Sequence, residues 1–267
     1  MTDDREVILK VENLRTWFPV KKGTFKKVVD HVKAVDDVSL EIYKGETLGI
    51  VGESGCGKST FGKSIMRLEQ ITDGKVIFNY DGQFKDVAQF DKKEMFEFRK
   101  KVQMVFQDPY SALNPQKTIY TSFEEPLKTH GYTSVEEREA IMQRVLKLVN
   151  IPTDYLMRYP HEFSGGQRQR LTLARALVPQ SDILIMDDSA SALDYATDAR
   201  LRKAIQDMKR KPTVFIVSQR TSSIQNADMI LVLDDGKIAG QGTHEQLLKS
   251  CNIYREIYET QFKKEEA

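Results

Sequence analysis

The sequence predicts an α/β fold: a mainly parallel sheet covered by helices, with an N-terminal antiparallel β subdomain and an inserted helical subdomain. Three observations carry this expectation. Short apolar runs recur along the 267 residues, as strands buried on both faces do. Helical segments lie between them, and that alternation implies parallel strands joined by crossover helices. Residues 108–175 break the rhythm with a mostly helical pattern and five prolines, Pro109, Pro115, Pro126, Pro152 and Pro160.

Taken in chain order, residues 7–42 alternate apolar and polar positions better than they follow helical spacing, which predicts antiparallel strands beside the core. Lys21-Lys22-Gly23 and Lys26-Lys27 are expected to form a solvated loop there rather than a phosphate contact. The buried strands are Thr47-Leu48-Gly49-Ile50-Val51, Val102-Gln103-Met104-Val105-Phe106, Ile183-Leu184-Ile185-Met186, Val214-Phe215-Ile216-Val217 and Met229-Ile230-Leu231-Val232-Leu233. Helices are expected over 136–149 and 196–208. The proline-bearing stretch 108–175 reads as a helical subdomain inserted into the core, so that residues 1–267 form one domain.

Composition narrows the function classes. Forty Lys+Arg against 39 Asp+Glu leave a formal net charge of +1, which argues against bulk nucleic acid or an anionic membrane surface as the main partner. No run of about 20 apolar residues offers a membrane span. An acidic, polar start predicts no secretory leader. Two cysteines, Cys56 and Cys251, make neither a disulfide framework nor a zinc cluster, and a reducing cytosol is the simple reading.

The chemistry begins after the strand that ends at Val51. Gly52-Glu53-Ser54-Gly55-Cys56-Gly57-Lys58-Ser59-Thr60 fits the phosphate-loop (Walker A) pattern G-x-x-x-x-G-K-[ST]. Glycines let successive backbone N–H groups turn toward one phosphate, and the helix that follows presents its positive end. Lys58 adds a mobile charge for the β- and γ-phosphates, while the Ser59 hydroxyl suits Mg²⁺. The pattern predicts a P-loop NTPase (RecA-like) core binding ATP with Mg²⁺, Cys56 serving only as a small loop residue.

A second string is more specific. Phe163-Ser164-Gly165-Gly166-Gln167-Arg168-Gln169-Arg170 resembles the signature motif of ATP-binding cassette (ABC) proteins. Physically, Ser164 can cap the helix that starts there, and two glycines leave its first amides bare for a second anion. The resemblance spans nearly the whole chain and implies further roles. Asp187, closing an apolar strand, is similar to the Walker B acid that holds Mg²⁺ through water. Ser191-Ala192-Leu193-Asp194 is similar to the D-loop. Gln107, before Asp108-Pro109, resembles the Q-loop glutamine that senses the γ-phosphate and Mg²⁺ next to the membrane partner. Phe18 aligns with the aromatic residue that stacks on adenine, with Trp17 as the alternative.

Within the family the spelling changes along the chain. The first two-thirds, including Trp17-Phe18-Pro19-Val20-Lys21-Lys22-Gly23 and Tyr159-Pro160-His161-Glu162-Phe163-Ser164, is similar to ATPases of oligopeptide and dipeptide importers. After roughly Arg170, Met186-Asp187-Asp188-Ser189 and Gly242-Thr243-His244-Glu245-Gln246-Leu247-Leu248 resemble nucleotide-binding domains of exporters with a degenerate site. Two explanations stay open: a recombined or engineered chimera, which the abruptness favours, and a divergent natural branch.

Two positions closest to the chemistry depart from the family pattern. Asp188 stands where a Glu orients or deprotonates the attacking water, and its carboxylate is one methylene shorter. Gln219, in Val217-Ser218-Gln219-Arg220, stands where a His contacts the γ-phosphate; an amide hydrogen-bonds but carries no positive charge. The resemblance therefore implies an ATPase that binds ATP and Mg²⁺ well and hydrolyses slowly. With the signature intact, it implies a heterodimer rather than a homodimer: Ser164, Gly165, Gly166 and Gln167 complete a competent site on a second ATPase subunit. Transmembrane permease subunits are the other expected partners, at the inner face of the cell membrane, for a peptide or small solute. The alternatives are a soluble cassette ATPase and an ATP-gated scaffold uncoupled from transport.

Overall fold

From the N-terminus the chain forms β1 (Val7–Lys22), β2 (Lys27–Tyr43), β3 (Thr47–Val51), α1 (Lys58–Ile65), β4 (Asp73–Tyr80) and β5 (Gln83–Asp86). There follow α2 (Lys92–Lys101), β6 (Val102–Val105), α3 (Ile119–Thr129), α4 (Val135–Leu148), α5 (Gly165–Leu177), β7 (Ile183–Asp187) and α6 (Tyr195–Gln206). The chain closes with β8 (Thr213–Val217), β9 (Met229–Asp234), β10 (Lys237–Gly242), α7 (His244–Ser250) and α8 (Asn252–Glu265). This computed structural model describes residues 5–24, 26–108, 112–188, 195–206 and 211–265. The chain divides into two compact units, residues 1–99 with 213–267, and residues 100–212.

In the first unit, β2-β1-β4-β5 make an antiparallel sheet, as the alternation over 7–42 predicts. Leu9, Val11, Leu14, Val35, Val38, Ile42, Val76 and Phe78 are buried, so one face of β1, β2 and β4 faces the core. Phe78 meets Phe98 of α2 edge-on at 5.2 Å between ring centroids, and Phe98 meets Phe90 at 5.6 Å. Such T-shaped pairs add about 0.5–1.5 kcal/mol each beyond their buried area. The lysine loop is shorter than the sequence suggests. The β1–β2 ladder continues to Lys22↔Lys27, which puts Lys21, Lys22 and Lys27 in strands and leaves Lys26 in the turn. Alternating residues on both sides of Gly23 let the ladder run to its end, and Gly23 takes the positive φ (+79°) that the turn needs.

The same unit holds the parallel pairs β3–β8 and β3–β9, with β10 antiparallel on β9. Every residue of β3 and β8 is buried, which is why these strands read as nearly continuous apolar runs, each opened by a threonine.

The second unit pairs β6 with β7 in parallel, from Val102↔Ile183 to Val105↔Met186. It also contains the helices expected within 108–175. Thr118 and Ser134 cap α3 and α4 through their hydroxyls. Pro126 lies inside α3 and cannot donate to the Ser122 carbonyl one turn earlier. Arg175 of α5 fills that vacancy: its Nε donates to Ser122 O at 3.2 Å and a terminal nitrogen to Ala112 O at 3.1 Å. Burial pulls the Arg175 guanidinium below its usual pKa, with the charge of Glu125 opposing. Among the described residues, no helix is long and apolar enough to cross a membrane.

Candidate functional site

The first unit carries the phosphate loop between β3 and α1. Gly57 caps α1 with φ +102°, a backbone region that L side chains rarely adopt, and a Cβ there would lie 1.8 Å from the Ala34 carbonyl oxygen of β2. At Gly52 a Cβ would meet Leu233 O at 2.1 Å. Two glycines of the motif are therefore required by close backbone approach from β2 and from the end of β9. A further clasp comes from Gly236, whose N–H donates to the loop carbonyl of Cys56 at 3.1 Å. The Asp235-Gly236 turn signal marks that hairpin in the sequence; nothing in the sequence tells that it grips the loop.

Lys58 lies almost wholly buried in the loop, at 7% exposure. Its ammonium donates to Gly52 O at 2.9 Å and Glu53 O at 2.6 Å, with the Cys56 sulfur at 3.6 Å. The charge of the buried cation is thus met by its own loop's carbonyl dipoles. Cys56 is buried under that ammonium, while Gly55 is exposed and has open space where a side chain would stand. Ser59 and Thr60, in the first turn of α1, are half-buried.

Two residues from Ala34, Val32 pairs with Phe18 across the β1–β2 ladder. A strand rises about 3.3 Å per residue and paired strands lie about 4.8 Å apart, so this register sets Phe18 about 8 Å from Ala34, which contacts the loop at Gly57. Phe18 is 37% exposed. Trp17, on the opposite face, has Lys33 Nζ 4.8 Å from its ring centroid and His31 at 6.2 Å. Its indole N–H is buried with no hydrogen-bond partner among the described residues. Phe18 is the aromatic face left open; Trp17 is engaged.

Gln219 follows β8 and is exposed. Its backbone is held: Ser218 Oγ accepts from Arg220 N at 2.9 Å, and Gln219 O accepts from the Gln261 side chain of α8 at 2.6 Å. Gln261 carries no sequence signal for such a role.

In the second unit, Gln107 is exposed just after β6. Asp187 ends β7 at 2% exposure, and Asp188 follows with φ +44°, in the left-handed region that Asp tolerates better than most residues. The D-loop string, 191–194, lies outside the described residues, as does Pro109. At the start of α5, Ser164 is the N-cap, as its position predicts. Its hydroxyl accepts from Gln167 N at 3.4 Å and Gln167 Oε1 accepts from Ser164 N at 2.9 Å, a reciprocal capping box. Gln167 thus spends its amide oxygen within the helix. Gly165 and Gly166 are half-buried. Arg168 buttresses the turn by donating to Phe163 O at 3.0 Å and His161 O at 3.4 Å.

The expected donors to Mg²⁺ are a hydroxyl (Ser59), a carboxylate (Asp187) and an amide oxygen (Gln107). All are hard oxygen ligands, the class this cation takes, so the donor types fit the group.

The model of the ABC transporter family matches residues 35–191. The oligopeptide transport ATP-binding protein AppF of Bacillus subtilis (strain 168) is 39% identical over 247 residues, 91% of this chain and 74% of that protein. Those 247 residues outnumber the 170 up to Arg170, so likeness to this protein continues into the last third of the chain. The glutathione import ATP-binding protein GsiA of Escherichia coli O157:H7 is 42% identical over 207 residues, 78% of this chain and 33% of that protein. Among solved structures, the dimeric structure of MJ0796, a bacterial ABC transporter cassette, superposes with a TM-score of 0.77 at 28% identity, over 89% of this chain and 99% of that one.

Proposed function

Because the chain belongs to the ABC transporter family, we propose that it is the ATP-binding subunit of a transporter for peptides or small solutes, driving transport by ATP-dependent dimerisation and hydrolysis. The observation that carries the proposal is the phosphate loop. It has a buried lysine, loop glycines whose backbone other strands contact closely, and a helix N-terminus behind them. The relatives named for oligopeptide and glutathione transport support the substrate class and favour import.

Each residue has a role that follows from its chemistry. Loop amides and the start of α1 receive the phosphates. Lys58 keeps its carbonyl bonds and turns its third N–H from the Cys56 sulfur, the weakest of its three acceptors, to a phosphate oxygen. Phe18 stacks on adenine. Ser59, Asp187 and Gln107 would hold Mg²⁺, which when bound would neutralise phosphate charge. Asp188 orients the attacking water and takes its proton, and Gln219 hydrogen-bonds the γ-phosphate. Both do this less well than the longer acid and the cationic imidazole of the family pattern, so the chain's own site is slow.

The bare amides after Ser164 are offered to ATP held by a second, competent ATPase subunit, which makes the working unit a heterodimer. Membrane attachment at the cytoplasmic face then comes from permease subunits. An ATP-gated scaffold is the second reading, and the pair Asp188 and Gln219 favours it.

The deciding experiment is affinity purification from detergent-solubilised membranes, with equilibrium ATP binding measured on the parent and on Lys58→Ala. Recovery of apolar permease chains and a second ATPase, with ATP binding lost in Lys58→Ala, is the expected result. Tight ATP binding by Lys58→Ala would refute the assignment of the phosphate site. Recovery without membrane chains would refute the transport role.

A further inference from the structure

Beyond the residues expected to touch the nucleotide, one side chain from a distant element holds the segment on which Gln219 sits. Gln261 of α8 lies 40 residues from Thr221. Its Oε1 accepts from Thr221 N at 2.8 Å and from Thr221 Oγ1 at 3.0 Å, while its Nε2 donates to Gln219 O at 2.6 Å. A primary amide presents a donor and an acceptor side by side. Here the two read a backbone carbonyl and a backbone N–H two residues apart, just past the end of β8. Thr221 is buried at 1% exposure, so an unmet N–H there would be costly. The Gln219 side chain is exposed. Its direction is therefore set by its own backbone, and one plane of that backbone is pinned by Gln261.

We propose that Gln261 is a positioning residue for ATP hydrolysis: through its two-point clamp on Gln219 O and Thr221 N, α8 aims the Gln219 amide at the γ-phosphate. This rests on the reading of Gln219 given above. Displacing a reacting or positioning group by about 1 Å costs on the order of 100-fold in rate. Loss of the clamp leaves the Ser218 bonds to Ile50 O and Arg220 N, and the Thr221 carbonyl accepting from Ile224 N, to hold the loop, so the expected loss is smaller, about tenfold. No substitute serves both bonds. Glu keeps the acceptor for Thr221 but turns a carboxylate toward the Gln219 carbonyl, and Asn is a methylene short.

The test uses the full chain as parent, Gln261→Ala, Gln261→Glu, Gln219→Ala and the double variant Gln219→Ala/Gln261→Ala. Single-turnover hydrolysis of γ-labelled ATP by excess protein measures the step itself even when it is slow. Equilibrium ATP binding, melting temperature and amide hydrogen exchange over residues 218–224 are measured alongside. Expected are faster exchange at Thr221, a turnover lowered about tenfold in both Gln261 variants, and ATP affinity held within about twofold. Gln261→Ala should add almost nothing to Gln219→Ala, because one acts through the other. Gln261→Glu should regain turnover relative to the parent as pH falls toward the carboxyl range, where a protonated acid again donates to Gln219 O. Parent-like turnover in Gln261→Ala would overturn the proposal, as would losses that multiply in the double variant. A lowered melting temperature with unchanged turnover would mark the clamp as merely structural and overturn it too. Failure of the underlying nucleotide-site reading looks different: it is Lys58→Ala binding ATP as tightly as the parent.

Discussion

Replacing Asp188 by Glu tests how far one methylene limits this site. Restoring the longer acid moves the carboxylate outward by roughly 1 Å, a displacement worth about 100-fold, or about 2.7 kcal/mol at 1.36 kcal/mol per tenfold. The backbone opposes part of that gain. Asp188 sits at φ +44°, where short polar side chains are tolerated and a longer one is not. Left-handed backbone costs about 1–2 kcal/mol for an ordinary L residue, so the folded chain either stores that strain or swings out of the conformation and forfeits part of the new reach. Swinging out leaves a gain of about 0.7–1.7 kcal/mol, or roughly 3–20-fold in hydrolysis, with the melting temperature held. Storing the strain leaves the full gain of about 100-fold and, at about 2–4 °C per kcal/mol, lowers the melting temperature by about 2–8 °C. Phosphate release under single-turnover conditions and a thermal melt, run on the same preparation, check both halves. Unchanged hydrolysis with an unchanged melt would refute the reasoning at its root. A full 100-fold gain at constant stability would refute the backbone argument alone.

Other substitutions probe other parts of the site. Lys58→Ala removes a charged donor, and bonds of that kind are worth about 1.5–3 kcal/mol, so ATP affinity should weaken by about 10–150-fold in equilibrium binding. Gly57→Ala forces a Cβ to within 1.8 Å of Ala34 O at a positive φ; both the melting temperature and ATP binding should fall, and a parent-like melt would count against the packing described. Ser164→Ala loses the α5 cap, at a cost of about 1 kcal/mol measurable by denaturant titration, while the chain's own ATP affinity is unaffected. Tyr254 is buried against His244, its hydroxyl 2.7 Å from Nδ1, and burial, then the charge of Tyr258, pushes its pKa up to about 12 from the ordinary 10. Because the folded state holds this proton more tightly, its contribution is intact below about pH 10 and is lost as pH rises toward 12. Denaturant midpoints for Tyr254→Phe should lack that alkaline fall.

Much of the core was legible because burial on both faces leaves a direct trace in composition. Strands β3, β7 and β8 each carry a run of four largely apolar residues for that reason, and each lies where its run predicts. The phosphate loop and the α5 cap were legible too, since each depends on residues only a few positions apart whose types are dictated by local geometry. The β1–β2 hairpin was less so. Its lysines follow the strand pattern as readily as a loop pattern, and only cross-strand pairing to Lys22↔Lys27 separates the two.

What the sequence by itself determined, then, are the buried strands, the phosphate loop and the helix start carrying Ser164, because each is written in contiguous residues. Tertiary structure alone decided which aromatic stays open, since Lys33 and His31 reach Trp17 from the paired strand and leave Phe18 exposed. It also decided why Gly57 tolerates no side chain, through the carbonyl of Ala34, and what holds the backbone of Gln219, through Gln261. In each case the partner lies more than ten residues away, and a local pattern cannot encode an approach that exists only once the chain has folded.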